Sequence, residues 1–170
     1  MQHKSFADME CCIARALEET GDWWSMLILR TAFLGATRFQ TFQEQLGIAP
    51  TTLTRRLELL TTHGLLERRR YSAHPPREEY ELTSKGRDFL PVLVCLGHWG
   101  GRWLMPDGAP MEFVDAETGQ LVDPVLVDRT TGRELEAGTV ALRAGPGATE
   151  DLRRALSTPV VLGGKLEERA

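Results

Sequence analysis

A chain of 170 residues with 20 Lys+Arg against 24 Asp+Glu and a formal charge of -4 can bury one core and has room for a small appendage. The mild acidity argues against a protein that coats nucleic acid with its whole surface, but the charge is uneven: residues 1–104 hold 13 basic and 12 acidic groups, residues 105–170 hold 7 and 12, and local patches are what meet phosphates. No apolar run reaches the ~18 residues of a membrane helix and residues 1–12 lack a signal peptide's apolar stretch, so a soluble cytoplasmic protein is expected, with Cys11, Cys12 and Cys95 as free thiols.

Phe6, Met9, Ile13, Ala16 and Leu17 recur at helical spacing and Gly21 reads as their stop, which predicts a first amphipathic helix. With Ile13 at the centre of the apolar side, Cys11 falls about 160 degrees away and Cys12 about 100 degrees away. Cys11 is therefore expected to face solvent or a partner subunit. Asp22 offers an N-cap oxygen to the segment 23–34, which is apolar on nearly every side and belongs in the centre of a core. Gly35 ends it, and Thr37 is placed to cap a helix from Arg38 to Leu46 with Phe39, Phe42 and Leu46 inward.

Gly47 supplies a short turn, after which Pro50 suits the first position of a helix because its missing N–H is not needed there. Leu53, Leu57 and Leu60 form one stripe toward the core and leave Thr51, Thr52, Thr54, Arg55 and Arg56 mostly outside it. His63 and Gly64 stop the helix, and residues 65–83 alternate as two strands around a loop that contains His74, Pro75, Pro76 and Arg77. Thr83 is expected to cap a long last helix to about Leu104, kinked near Pro91. One stripe of it holds Phe89, Leu93, Leu96, Gly100 and Trp103, another Leu90, Val94, Gly97 and Gly101. Two apolar faces on one helix imply a partner subunit, with Leu90, Leu93, Val94, Gly97 and Trp103 as interface candidates.

Helix, short turn, helix and hairpin in that order describe a winged helix-turn-helix, whose second helix enters a DNA groove. Residues 38–87 carry 9 basic against 6 acidic groups. Thr hydroxyls and methyls can meet base edges and Arg can pair with guanine in bidentate fashion, which assigns Thr51, Thr52 and Arg55 to bases. Thr54 stands among them, and Arg56 and Arg38 suit phosphate contacts. The two prolines stiffen the loop that carries His74 and Arg77, so less entropy is lost when the loop meets DNA. Taken alone, a Thr/Arg helix face reads more plainly as a solvated surface. Arg68, Arg69 and Arg70 either extend the basic surface or pair across the hairpin with Glu78, Glu79 or Glu81.

The stretches CCIARALEETGDWWSMLILR, GATRFQTFQEQLGIAPTTLTRRLELLTTHGLLERR and YSAHPPREEYELTSKGRDFLPVLVCLGHWG resemble the HxlR family of transcription regulators, relatives of the MarR family, over about residues 11–104. The resemblance implies a homodimer formed through the first and last helices. Each subunit would present a recognition helix and a wing to half of a palindromic double-stranded operator. It also places Cys11 where several members carry a redox- or electrophile-sensing thiol; ordinary helix cysteines are the plainer reading for Cys11 and Cys12, and core for Cys95.

In the tail, Asp115-Ala-Glu-Thr118-Gly119 and Asp128-Arg-Thr-Thr131-Gly132 repeat with an offset of 13 residues, with strand-like segments at 124–127 and 139–143. The form DxxTG is what a zinc ribbon's CxxCG knuckles become without their sulfurs, so a metal-free relic of such a ribbon stands beside a coincidence of hairpin-turn composition. Asp and Thr can close such turns through side-chain hydrogen bonds, and zinc is not expected without Cys or His here. The fold expected is mainly α with small β: a winged domain at 1–104, a β-hairpin appendage at 105–144, and a short helix with a flexible tail at 145–170. The function expected is a dimeric repressor, with a thiol, oxidant or small molecule as candidate signal and no cofactor. A winged-helix module for protein assembly is the alternative. No nucleophile, base and orienting group fall together, which argues against an enzyme. Trp23, Trp24, Phe33 and Trp99 are candidates for a ligand pocket, with core and dimer interface as the plainer reading.

Overall fold

In the computed structural model, residues 5–6, 8–74 and 76–163 are described. The chain divides into two compact units, Met1–Phe113 and Val114–Ala170.

The first unit contains α1 (Cys12–Thr20), α2 (Trp23–Phe33), α3 (Phe39–Leu46), α4 (Pro50–Thr62), β1 (Leu66–Ala73), β2 (Pro76–Leu82), α5 (Ser84–Arg87) and α6 (Leu90–Leu104). Its core is built by Ile28, Leu29 and Ala32 of α2, Phe42 of α3, the Leu53, Leu57 and Leu60 stripe of α4, and Leu65, Leu66 and Tyr80 of the hairpin. Two local choices fix the helix-turn-helix angle. Gly47 takes the left-handed conformation (φ 61°) that ends α3, which costs glycine no Cβ clash. Ile48, in the turn, is buried and anchors it. Asp22 caps α2 by accepting from Ser25 N at 3.1 Å, as the sequence leads one to expect.

Three expectations need correction. The first helix starts at Cys12, with extended Cys11 as its N-cap, and buries Ala14 and Thr20 while Ile13 is exposed; Ile13 and Leu17 mark an uncovered side of the helix. The cap of α3 is Arg38, without a side-chain hydrogen bond; Thr37 lies one residue ahead of it, and its carbonyl accepts the N–H of Tyr80 at 2.7 Å. With an isolated bridge between Arg38 and Glu79, this ties residues 37–38 to β2 of the two-stranded sheet. The single long last helix is two. Thr83 does cap a helix, accepting from Gly86 N, but that helix stops after one turn, and Pro91 opens α6 near its first position, where a missing N–H is harmless.

Gly97 and Gly101 of α6 also have an unexpected role. A Cβ on Gly97 would lie 2.9 Å from the ring of Phe113, and one on Gly101 would lie 3.2 Å from Cβ of Ala109. The chain after α6 folds back onto the glycine stripe, and Gly97 makes room there for Phe113 of the same chain. Leu93 and Phe89 pack against the core. The apolar face left uncovered is Val92, Leu96, Trp99 and Trp103.

The second unit carries β3 (Ala141–Leu142), α7 (Glu150–Ala155) and β4 (Val160–Val161), with β3 and β4 antiparallel. The expected strand at 124–127 is reduced to a bridge from Val127 to Glu134. The two DxxTG turns are built alike. Gly119 N bonds Asp115 O and Gly132 N bonds Asp128 O, both at 2.8 Å, with φ 69° and 70° at the glycines. Asp115 Oδ1 accepts from the backbone N–H groups of Glu117 and Thr118 and from the Thr118 hydroxyl. Asp128 accepts from Thr130 N and the Thr131 hydroxyl. These hydrogen bonds hold both carboxyl groups below the usual aspartate range. The flexible tail expected at the end falls partly outside the described residues.

Candidate nucleic-acid interface

The 3.6-residue period of α4 sorts its side chains. Leu53, Leu57 and Leu60 are fully buried, while Thr51, Thr54, Arg55, Glu58 and Thr62 are exposed and Thr52 is half-buried. The start of the helix is open. Its N-cap, Ala49, offers no side-chain hydrogen bond, and the first amide to reach a backbone carbonyl is Leu53 N, at 2.9 Å from Ala49 O. The amides ahead of it, from Thr51 and Thr52, are the unpaired donors that a helix start turns toward an anion.

The candidates divide at this point. Thr54 spends its hydroxyl proton on Pro50 O (3.0 Å), so it meets DNA as an acceptor or through its methyl group. Arg55 is exposed. Arg56, next along the helix, does not reach outward as expected: only one-fifth exposed, its Nε lies 3.2 Å from Asp22 Oδ1. That contact is ionic and lacks hydrogen-bond alignment, since the buried Nε has no well-aligned acceptor. A rotation of about 100 degrees separates neighbouring helix positions, which is why two adjacent arginines have such different surroundings.

Arg38 is exposed at the start of α3, and its guanidinium lies over the ring of Tyr71 on β1, 4.9 Å from the centroid. This cation–π contact ties the helix-turn-helix to the wing. Two of the hairpin arginines pair across the strands: Arg68 with Glu78 at 3.4 Å and Arg69 with Glu81 at 3.0 Å. The wing is thus largely self-neutralised, and Arg70 and Arg77 are its exposed cations outside these pairs. A register shift between Arg70 and Ser72 twists the ribbon just before His74, which sits in the turn. Pro75 lies outside the described residues, and Arg77 falls on β2 beside the turn, paired in register with Ser72.

Sequence reasoning passed over Glu58 and Tyr71. Glu58 lies one turn beyond Thr54 and Arg55 on the same outer face, where a carboxylate can accept from cytosine N4 and is repelled by phosphate. The spacing from Thr51 to Glu58, i and i+7, would have found it. Tyr71 became legible only with the hairpin register. The aromatic residues considered for a pocket have different surroundings: Trp24 packs against the core, whereas Trp23 and Trp99 are exposed. All three cysteines are exposed, including Cys95, for which core was expected; α6 buries no residue at all.

A family described as HxlR-like helix-turn-helix matches residues 19–108. An uncharacterized HTH-type transcriptional regulator of Mycobacterium tuberculosis (strain ATCC 25618 / H37Rv) is 41% identical over 136 residues, covering 79% of this chain and 86% of the relative. The crystal structure of PA1607, reported as a candidate transcription factor, superposes with a TM-score of 0.75 at 37% identity over 84% of this chain and 99% of its own. That share of the chain extends into the second unit. The redox regulator HypR in its reduced form is similar at a TM-score of 0.52 and 27% identity, over 57% of this chain and 99% of its own.

Proposed function

Given that the chain belongs to the HxlR-like helix-turn-helix family and is a transcriptional regulator with a helix-turn-helix DNA-binding domain, we propose that it acts as a homodimeric repressor on a palindromic operator, with α4 in the major groove. The observation that carries this reading is the outer face of α4, where an uncapped helix start, Thr51, Thr52 and Arg55 stand over a fully buried leucine stripe. The leucines hold the helix rigid, the open amides and Arg38 receive phosphates, and Arg55 reads guanine. Arg77 and His74 reach DNA from the wing. The second copy is supported by the bare apolar faces of α1 and α6.

Control by oxidant is supported by two facts. Cys11 is exposed at the start of α1, and the similar protein HypR is a redox regulator. Binding is tested on the DNA upstream of the chain's own gene against an unrelated duplex, across salt and with oxidant and reductant. The expected preference is about a thousandfold or more, lost on oxidation in the wild type and retained in Cys11→Ser. Equal affinity for both duplexes would refute operator recognition and favour a protein-assembly module.

A further inference from the structure

Outside the reading head, polar contacts converge on the corner where α1 meets α2. Glu19 binds Lys85 Nζ at 2.5 Å, and the same ammonium donates to the carbonyl of His63 at 2.9 Å, the C-cap of α4. Three residues after Glu19, Asp22 caps α2 and lies against Arg56 in the middle of α4. The corner between them is tightly built: Thr20 is buried, and a Cβ on Gly21 would come within 2.2 Å of Leu17 O. A short, sterically constrained segment is therefore tied to the recognition helix at two points, directly at its middle through Asp22 and Arg56 and through Lys85 at its C-terminal end.

The Leu53, Leu57 and Leu60 stripe decides which face of α4 turns inward, but apolar burial is non-directional and sets the rotation about the helix axis only coarsely. A charge pair fixes a point on the helix surface, and a pair only one-fifth exposed is weakly screened. Because Arg56 directly follows Arg55, the rotation that keeps Arg56 on Asp22 also sets where Arg55 points. We propose that Asp22 is a positioning residue for DNA recognition: through Arg56 it holds α4 in the rotation that presents Thr51, Thr52 and Arg55, and neither Asp22 nor Arg56 touches DNA. The proposal rests on the operator-binding reading above.

The test uses the full chain with operator and unrelated duplexes across salt. Its variants are Asp22→Asn, Arg56→Gln, Arg56→Lys and, for contrast, Arg55→Gln. Asparagine keeps the N-cap oxygen, so the thermal midpoint of Asp22→Asn stays close to wild type. Asp22→Asn and Arg56→Gln should each lose about tenfold in operator affinity with affinity for the unrelated duplex no lower, and Arg56→Lys should recover most of the loss. Arg55→Gln should instead lose about tenfold or more and relax the preference at a single base pair of the operator, as loss of a bidentate guanine contact does. Unchanged operator affinity in Asp22→Asn overturns the proposal. So does a lower salt slope in Arg56→Gln, which would put Arg56 on a phosphate, or a loss that simply follows a fallen thermal midpoint. A wild type without preference between duplexes refutes operator binding itself, and the proposal falls with it; that result is read from the wild-type arm alone.

Discussion

Asp115 and Asp128 show how much one side chain can organise where no core is available. In the second unit no described residue is buried, so its turns depend on hydrogen bonds to two carboxylates. Those bonds lower both pKa values. A carboxyl whose folded pKa lies below its unfolded value contributes stability that is complete above the unfolded pKa and disappears as pH falls through the folded one. The turns should thus be intact at neutral pH and open only at values below the ordinary aspartate range. Amide exchange of Gly119 and Gly132, followed from about pH 5 to pH 2 and corrected for intrinsic rates, should lose protection at the acid end, and Asp→Asn at either site should remove the pH dependence of its own turn. Protection independent of pH would show that the carboxylates do not hold the turns. Gly47 makes a second case. Its φ of 61° is one that L side chains adopt at a cost, so Gly47→Ala should destabilise the first unit by about 1–2 kcal/mol, read as a lower urea midpoint at constant slope.

Among the elements, the hairpin and α5 depend on a close approach that only glycine permits. A Cβ on Gly86 would lie 2.1 Å from Leu65 O and 3.1 Å from Leu82 Cδ2, the first a backbone atom that cannot swing aside. Gly86→Ala should therefore cost on the order of 3 kcal/mol, while leaving the outer face of α4 untouched; a thermal midpoint equal to wild type would contradict the packing. Leu57→Ala, which opens a cavity under the recognition helix, should cost about 2–5 kcal/mol. Elements with a strong local signal were legible in the sequence: the Leu53, Leu57, Leu60 stripe, the Asp22 and Thr83 caps, the turn at Gly47. Whatever depends on a distant partner was not. Nothing near Thr37 announces that its carbonyl belongs to Tyr80, and nothing near Gly97 announces Phe113. The period of α4 could place Arg56 at the margin of the apolar stripe, but only the packing of α2 across it makes Asp22 its partner. Cys95, exposed on α6, belongs with these, since an apolar helix reads as core until its surroundings show that its face is bare.

For the whole molecule, that bare face is the strongest indication of assembly. Val92, Leu96, Trp99 and Trp103 follow one another at intervals of four, three and four, which aligns them along a single stripe, and they are 47%, 48%, 53% and 66% exposed. Ile13 and Leu17 add a second exposed apolar strip on α1, and Met9 just ahead of the helix is exposed as well. Contiguous apolar surface of this kind on one subunit marks an interaction site, and a second copy related by a two-fold axis closes such a surface on itself. The same two-fold axis would place two α4 helices about 34–36 Å apart, one turn of DNA, so assembly and recognition stand or fall together. Leu96→Glu puts a charge on the stripe without touching the core, because Leu96 is half-exposed already. It should leave each subunit folded, shift sedimentation from twice 19.0 kDa to 19.0 kDa, and reduce operator affinity to that of a single half-site while the salt dependence per subunit is kept. A wild-type chain that sediments at the single-subunit mass at micromolar concentration would remove the two-fold reader and leave α6 waiting for a different partner.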